Sequence, residues 1–342
     1  MTTIGTGNTG MILASAFTKK PILFSTAHQD TINFSSFDVN TFSEDGAGKR
    51  FRTGAKIWEN NFERIEEILD NVRNEKVVIF SSFGGGSGSS SLNPISRILI
   101  NNNNKVLIVG IMPYKKEINP PLANSVQALN SLMPLISKVS VFIFDNEKLR
   151  KEQENNWENI DGYIIKKTDY LINLLKKYSS DDYSPLTIDQ SELDSVIFGG
   201  GFVDLSDTFL EEGLPKFEYG KLDKTTKNCL ISMYVDYNIK GKSRINKYQD
   251  IFTPVMDRIS SRVSNARFIP GILRAKVVFS NSENKKIKDR AYITIVSGLN
   301  INHYLKKIER VRDLAMKKAM IFAENYSGSK FIDKKENKIL DI

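Results

Sequence analysis

The chain has one cysteine, Cys229, in 342 residues. That excludes a disulfide framework and fits a reducing, cytoplasmic setting. Only His28 and His303 could supply imidazole, so a histidine-rich metal site is excluded and no protein metal-ligand set is expected. No apolar run reaches membrane-spanning length, and the N-terminus lacks a basic segment followed by an apolar core. Neither a membrane partner nor a secretory leader is therefore expected. Charge of one sign is also not concentrated: the net charge of +8 is spread along the whole chain and points only faintly to acidic partners.

What is present centres on Lys76 to Ser91, KVVIFSSFGGGSGSSS. A short run rich in β-branched residues reads as a buried strand. It passes into glycines and serines, then into the helical apolar spacing of Leu92, Ile95, Ile98 and Leu99. Strand, glycine-rich loop and helix together form a phosphate cradle. Glycine lets the backbone approach closely, serine hydroxyls add donors, and the helix start presents free N–H groups to an anion. A flexible serine-glycine linker is the competing reading, but a linker rarely sits flush between a buried strand and an amphipathic helix.

A second glycine motif, Gly5-x-Gly7-x-x-Gly10, opens the chain and satisfies the dinucleotide fingerprint. Pro21–Ser25 reads as a strand and Ile32–Val39 as another, followed by a loop from Asp45 to Arg50. Gly48-Lys49 there fails as a P-loop, because Arg50 stands where Ser or Thr belongs. Trp58, Phe62, Ile65, Leu69 and Val72 form a core-facing helix stripe. The apolar run Val106–Ile111 suits a parallel sheet and ends at Pro113 and Glu117. Val139–Phe144 is a further strand, followed by Asp145-Asn146-Glu147-Lys148-Leu149. A long helix starts at Trp157 and carries Asp161 one turn on. Thr187–Val196 reads as a short helix capped by Thr187 or Asp189. Beyond it, Phe198–Asp207 reads as a glycine-rich loop with an Asp204-x-x-Asp207 pair. Strands are expected at Leu230–Tyr237, Ile272–Phe279 and Ala291–Val296, with a helix over Asn246–Val263. A long amphipathic helix covers Ile301–Tyr326, with Lys306, Lys307, Arg310, Arg312, Lys317 and Lys318 on its polar face, and a mixed-charge tail reads as disordered.

In this order the segments resemble the tubulin/FtsZ superfamily, and within it the plasmid and phage partition branch, TubZ. The resemblance covers nearly the whole chain. It implies an α/β fold: a Rossmann-like GTP-binding domain over residues 1–155 and a central helix over 156–180. A catalytic loop and α/β activation domain follow over 181–300, and a C-terminal helix and tail over 301–342. It implies that Gly84, Gly85, Gly86, Ser87, Gly88 and Ser89 hold the phosphates of GTP or GDP. Gly5, Gly7 and Asn8 would form the first nucleotide loop, and the backbone of Gly46, Ala47 and Gly48 would meet the γ-phosphate. Pro113 matches the family's proline at the strand end and Glu117, four residues on, would face the ribose, although an arginine common in the family is replaced by Pro121. Asn146 would read the guanine edge, Trp157 would stack on the base, and Asp161 would accept from its N1–H and N2–H₂. Mg²⁺ would be held by phosphates and water.

The resemblance further implies a GTP-dependent, filament-forming GTPase that segregates plasmid or phage DNA. Head-to-tail contact would bring Asp204 and Asp207 of one subunit to the nucleotide of the next, because a helix of some 20 residues spans about 30 Å. A DNA-bound adaptor protein would engage the basic C-terminal helix and tail. The alternatives are a phage spindle or cell-division polymer, a nucleotide-binding polymer that hydrolyses nothing, and, from another class, a Rossmann-type NAD-dependent oxidoreductase suggested by Gly5 to Gly10 alone.

Overall fold

The computed structural model describes residues 1–114, 120–152, 156–174, 179–180, 188–209, 214–217, 219–236, 253–263, 266–275 and 291–326. Glu117, the end of the central helix, and the tail after Tyr326 lie outside these residues. The chain divides into two compact units. One comprises residues 1–135, 144–161 and 302–342, and the other residues 136–143 and 162–301.

In the first unit, strands β1 (Thr2–Thr6), β2 (Ile22–Ser25), β3 (Val39–Thr41), β4 (Lys76–Ser82) and β5 (Lys105–Met112) form a parallel sheet in the order β3-β2-β1-β4-β5. Val77–Phe80 and Val106–Val109 are fully buried, as strands covered on both faces require. Helices α1 (Gly7–Phe17), α2 (Phe51–Asn60), α3 (Phe62–Leu69), α4 (Gly86–Asn101) and α5 (Pro120–Leu132) connect and cover them. The strand order reverses at β1, which lies between β2 and β4. Such a switch point opens a crevice outside the carboxyl ends of the strands.

Two expectations change here. The stretch Ile32–Val39 is not a strand: His28–Phe34 is a 3₁₀ helix, and only Val39–Thr41 pairs with β2. The stripe from Trp58 to Val72 is carried by two helices that meet at Asn61, whose side-chain amide donates to the Ile57 carbonyl at 2.8 Å.

In the second unit, residues Ser140–Phe142 of β6 (Val139–Asp145) pair parallel with Gly201–Val203. Helices α6 (Asn146–Glu152) and α7 (Trp157–Ile172) follow β6 in sequence. The strands of this unit are β7 (Ser179–Ser180), β8 (Gly201–Phe209), β9 (Asn228–Asp236), β10 (Arg267–Ala275) and β11 (Ala291–Ser297). Their pairings run β8-β11-β9-β10-β7, with only β9 and β10 parallel. Helix α8 (Gln190–Ile197) packs on β9 and β11. Helix α9 (Asn302–Tyr326) belongs to the first unit and packs on α5.

Candidate functional site

A cavity of about 310 Å³ opens at the carboxyl ends of β1, β2 and β4, at the small end of the usual range for ligand sites, about 300–1,000 Å³. Its walls are Thr6–Thr9 after β1, Thr26 and Ala27 after β2, Asp45–Lys49 before α2, and Ser82 with Gly85–Gly88 after β4. Four loops distant in sequence meet there because the parallel sheet delivers each of them to the same edge.

Two helices begin at this cavity. Helix α1 starts at Gly7 and α4 at Gly86, inside the glycine-serine run and earlier than the apolar spacing suggests. Neither has a side-chain cap, and neither has an acid in its first turn. The first N–H groups of both helices thus lack intrahelical partners, and both positive dipole ends lie at the cavity. That combination is an anion site. Close approach between the two loops depends on glycine. Gly7 has φ +64°, and a Cβ on Gly88 would lie 2.9 Å from the Thr6 carbonyl oxygen and 2.8 Å from Ser81 Oγ. Two buried hydroxyls in the wall, Thr6 Oγ1 and Thr26 Oγ1, have no hydrogen-bond partner. Buried polar groups are rarely left so, and a bound ligand would satisfy them.

The serines behave differently from expectation. Ser89, Ser90 and Ser91 turn their hydroxyls back onto the carbonyls of Gly85, Gly86 and Gly88 in their own helix. Of the serines after Gly86, Ser87 lines the cavity, where its Oγ accepts from the Thr26 N–H at 3.0 Å. Among the expected phosphate contacts, Gly7, Asn8, Gly46, Ala47, Gly48, Gly85, Gly86, Ser87 and Gly88 line the cavity. Gly5, Gly84 and Ser89 stand behind its wall. A Cβ on Gly5 would lie 2.6 Å from the Gly10 carbonyl oxygen, and one on Gly84 would lie 2.9 Å from Pro113 Cβ.

The loop before α2 holds three residues in the left-handed region: Gly46 at φ +71°, Gly48 at +54° and Lys49 at +59°. Left-handed residues in a tight loop turn successive N–H groups towards one side and make an anion-binding concavity. Asp30 and Asp45 are the carboxylates in the wall, and Ser25 Oγ donates to Asp30 Oδ2 at 2.6 Å. No group of three or more His, Cys, Asp or Glu suited to a metal occurs among the described residues. One or two carboxylates beside phosphate oxygens nonetheless suit Mg²⁺, which keeps several of its waters.

The residues expected to read the base lie outside the cavity lining. Asn146 opens α6, and its Oδ1 is buried without a hydrogen-bond partner. Asp161 sits one turn into α7, half-buried, and burial pushes its carboxyl up from the ordinary range. Of Trp157 only its place at the start of α7 is described. Pro113 is buried at the end of β5.

The acidic pair expected on a loop is on a strand. Asp204 and Asp207 lie within β8, in register with Val296 and Ile293 of β11. Asp204 is 2% exposed, and its Oδ1 accepts from the Leu205 N–H at 2.8 Å. The same spacing of acids occurs fifteen residues upstream, at the start of α8. There Asp189 Oδ1 accepts from the Glu192 N–H at 2.8 Å, and Glu192 Oε2 accepts from the Asp189 N–H at 3.2 Å. This capping box holds both carboxylates on one helical turn at an exposed position. Asp189 was legible as a cap, but not as half of an acidic pair.

Two supporting residues were not singled out for the site. Trp58 is fully buried, with its ring against Phe42 and its Nε1 donating to the Ser87 carbonyl at 3.1 Å. Asn124 of α5 bonds to both the Lys49–Phe51 segment and Gly84. A lone asparagine between Leu122 and Val126 was the available signal.

Residues 3–153 match the sequence profile of the Tubulin/FtsZ family, GTPase domain. No curated protein sequence matches the chain. Solved structures share its fold. A GDP-form protofilament of TubZ from Bacillus thuringiensis serovar israelensis superposes with a TM-score of 0.71 at 14% identity, over 94% of this chain and 93% of that one. CetZ2 from Haloferax volcanii, a GTPγS-bound protofilament, gives 0.67 at 17% identity over 94% and 100%. An FtsZ dimer from M. jannaschii gives 0.58 at 16% identity, over 88% of each chain.

Proposed function

We propose that this chain, whose residues 3–153 match the Tubulin/FtsZ family, GTPase domain, and whose fold is similar to that of TubZ, is a filament-forming GTPase that moves plasmid or phage DNA. The observation that carries the nucleotide reading is the cavity, where two uncapped helix starts and a left-handed loop converge. The N–H groups of Gly7–Asn8 and Gly86–Gly88 bind the α- and β-phosphates, and those of Gly46–Lys49 meet the γ-phosphate. Thr6 and Thr26 offer their unpartnered hydroxyls to phosphate oxygens. Asp30 and Asp45 would hold Mg²⁺ through its waters, and the ion would supply charge to offset the phosphates. Asn146 and Asp161 select guanine, since adenine lacks the donors a carboxylate needs.

Hydrolysis requires a group that orients water at the γ-phosphate. We assign this to Asp189 and Glu192 in place of Asp204 and Asp207. The acids of α8 lie on one exposed turn, whereas those of β8 lie within a paired strand. Supplied by a neighbouring subunit in a head-to-tail contact, they complete a site that one chain lacks, and such contacts propagate into filaments. The TubZ and CetZ2 structures described as protofilaments support this reading. The basic face of α9 and the residues after it engage a DNA-bound adaptor.

The test is GTP turnover per subunit measured across protein concentration, with electron microscopy of the same samples. Turnover should rise from near zero above a critical concentration, together with filaments that require GTP and not ATP. A rate per subunit independent of concentration would show the site to be complete within one chain.

A further inference from the structure

Asn124 is 3% exposed on α5, one turn before the buried Ala128 and on the side of the helix away from the buried stripe of Leu122, Val126 and Leu129. Its amide is fully engaged with backbone from two loops. Nδ2 donates to the Lys49 carbonyl at 2.8 Å and to the Gly84 carbonyl at 2.9 Å, while Oδ1 accepts from the Phe51 N–H at 3.1 Å. One side chain thus fastens the end of the 45–50 loop to the glycine loop after β4.

The joint falls where the chain is strained. Lys49 has φ +59°, a conformation that costs a residue with a Cβ and persists only when its surroundings enforce it. Gly46 and Gly48 are left-handed too, but glycine needs no such enforcement. The Arg50 N–H closes the turn onto the Ala47 carbonyl at 2.9 Å, and α2 starts immediately after it. The Asn124 bond to the Lys49 carbonyl reaches the strained residue from outside this turn, and the same amide bonds to Gly84 in the glycine loop opposite.

We propose that Asn124 is a positioning residue for the terminal phosphate. It holds the left-handed turn of Gly46–Lys49 at a fixed separation from Gly85–Gly88, so that triphosphate and diphosphate are told apart. This rests on the nucleotide reading of the cavity. Asn124 touches no nucleotide. Its removal acts through the 45–50 loop and leaves the two helix starts, α1 and α4, in place for the other phosphates.

The experiment measures GDP and GTPγS affinities of the full chain as wild type, Asn124→Ser and Asn124→Ala. Serine shortens the reach and leaves room for a water; alanine removes every bond. The inference expects GDP affinity within about twofold of wild type for Asn124→Ser, with GTPγS affinity at least tenfold weaker and Asn124→Ala weaker still. GDP binding then certifies the fold of each variant. Equal weakening of both nucleotides, or loss of folding in Asn124→Ala with Asn124→Ser unchanged for both, would make Asn124 a packing residue and overturn the proposal. Unchanged affinities in both variants would overturn it as well. If the wild type binds neither nucleotide, the reading of the cavity fails, an outcome separate from any difference among the variants.

Discussion

Helices α1 and α4 begin without a side-chain cap or a first-turn acid, whereas α8 begins with a complete capping box from Asp189 and Glu192. A helix start has N–H groups that need acceptors. Where the chain supplies them itself, as at α8, the helix start needs no acceptor from outside. Where it does not, as at α1 and α4, the acceptors must come from outside, and the cavity is where they would enter. Leaving those starts bare forgoes about 0.5–2 kcal/mol of local stability per helix. The two acidic pairs also differ in setting: on α8 both acids belong to one helical turn, while on β8 both lie in a strand paired with β11.

The largest effect that sharpens this comparison is on turnover. Asn caps a helix as well as Asp does. Asp189→Asn should therefore keep the melting temperature of α8 and the rest of the chain while GTP turnover falls by roughly 10²–10⁴-fold, the loss of a group that polarises water. Asp204→Asn should leave turnover within a small factor of wild type. Steady-state kinetics above the assembly concentration would reverse the assignment if Asp204→Asn were dead and Asp189→Asn active.

A smaller effect comes from closing one of the open helix starts. Ser87→Asp places an acid in the first turn of α4, where it should stabilise the nucleotide-free protein by about 0.3–1 kcal/mol. The same charge faces the phosphates, and like charges brought together are costly, so nucleotide affinity should fall at least about tenfold. Thermal melts and calorimetric titration should thus move in opposite directions. If affinity survives, α4 does not face an anion.

The smallest effect concerns Asp161. Burial raises its carboxyl pKa in the nucleotide-free fold. A raised value means its stabilising contribution is complete below the ordinary carboxylate pKa, about 4, and is lost as pH rises through the raised value. Asp161→Asn should therefore melt slightly higher at neutral pH, a gain that fades towards pH 4. The same change should weaken GTP binding by about 1–3 kcal/mol, the cost of leaving buried donors unpaired. ATP binding should be unaffected. Equal affinity of the wild-type protein for GTP and ATP would remove Asp161 from base recognition.

Much of the first unit was legible because its signals are local. The β-branched run before Gly84, the glycine-serine break and the apolar spacing from Leu92 all lie within one strand–loop–helix segment. The helix from Ile301 to Tyr326 was legible for the same reason, by its periodicity. The β8 segment was not. Gly199-Gly200-Gly201 followed by two aspartates has the composition of a loop. It becomes a strand because Asp204–Phe209 find partners in Ala291–Val296, some ninety residues away.

By itself the sequence determined the two glycine motifs, the strand–loop–helix segment around the second, and a cap at Thr187 or Asp189, of which Asp189 is the one the structure shows. Each depends on residues within one turn or one strand of each other. Tertiary structure alone decided which acids share a face, that Ser89–Ser91 bond back into their helix, and that Trp58 and Asn124 hold the loops from behind. The reason is physical. A backbone hydrogen bond within a helix spans four residues and leaves a pattern in the sequence. A side chain that crosses from α5 to Lys49 and Gly84 bonds to carbonyls that every residue possesses, so nothing at either position marks its partner.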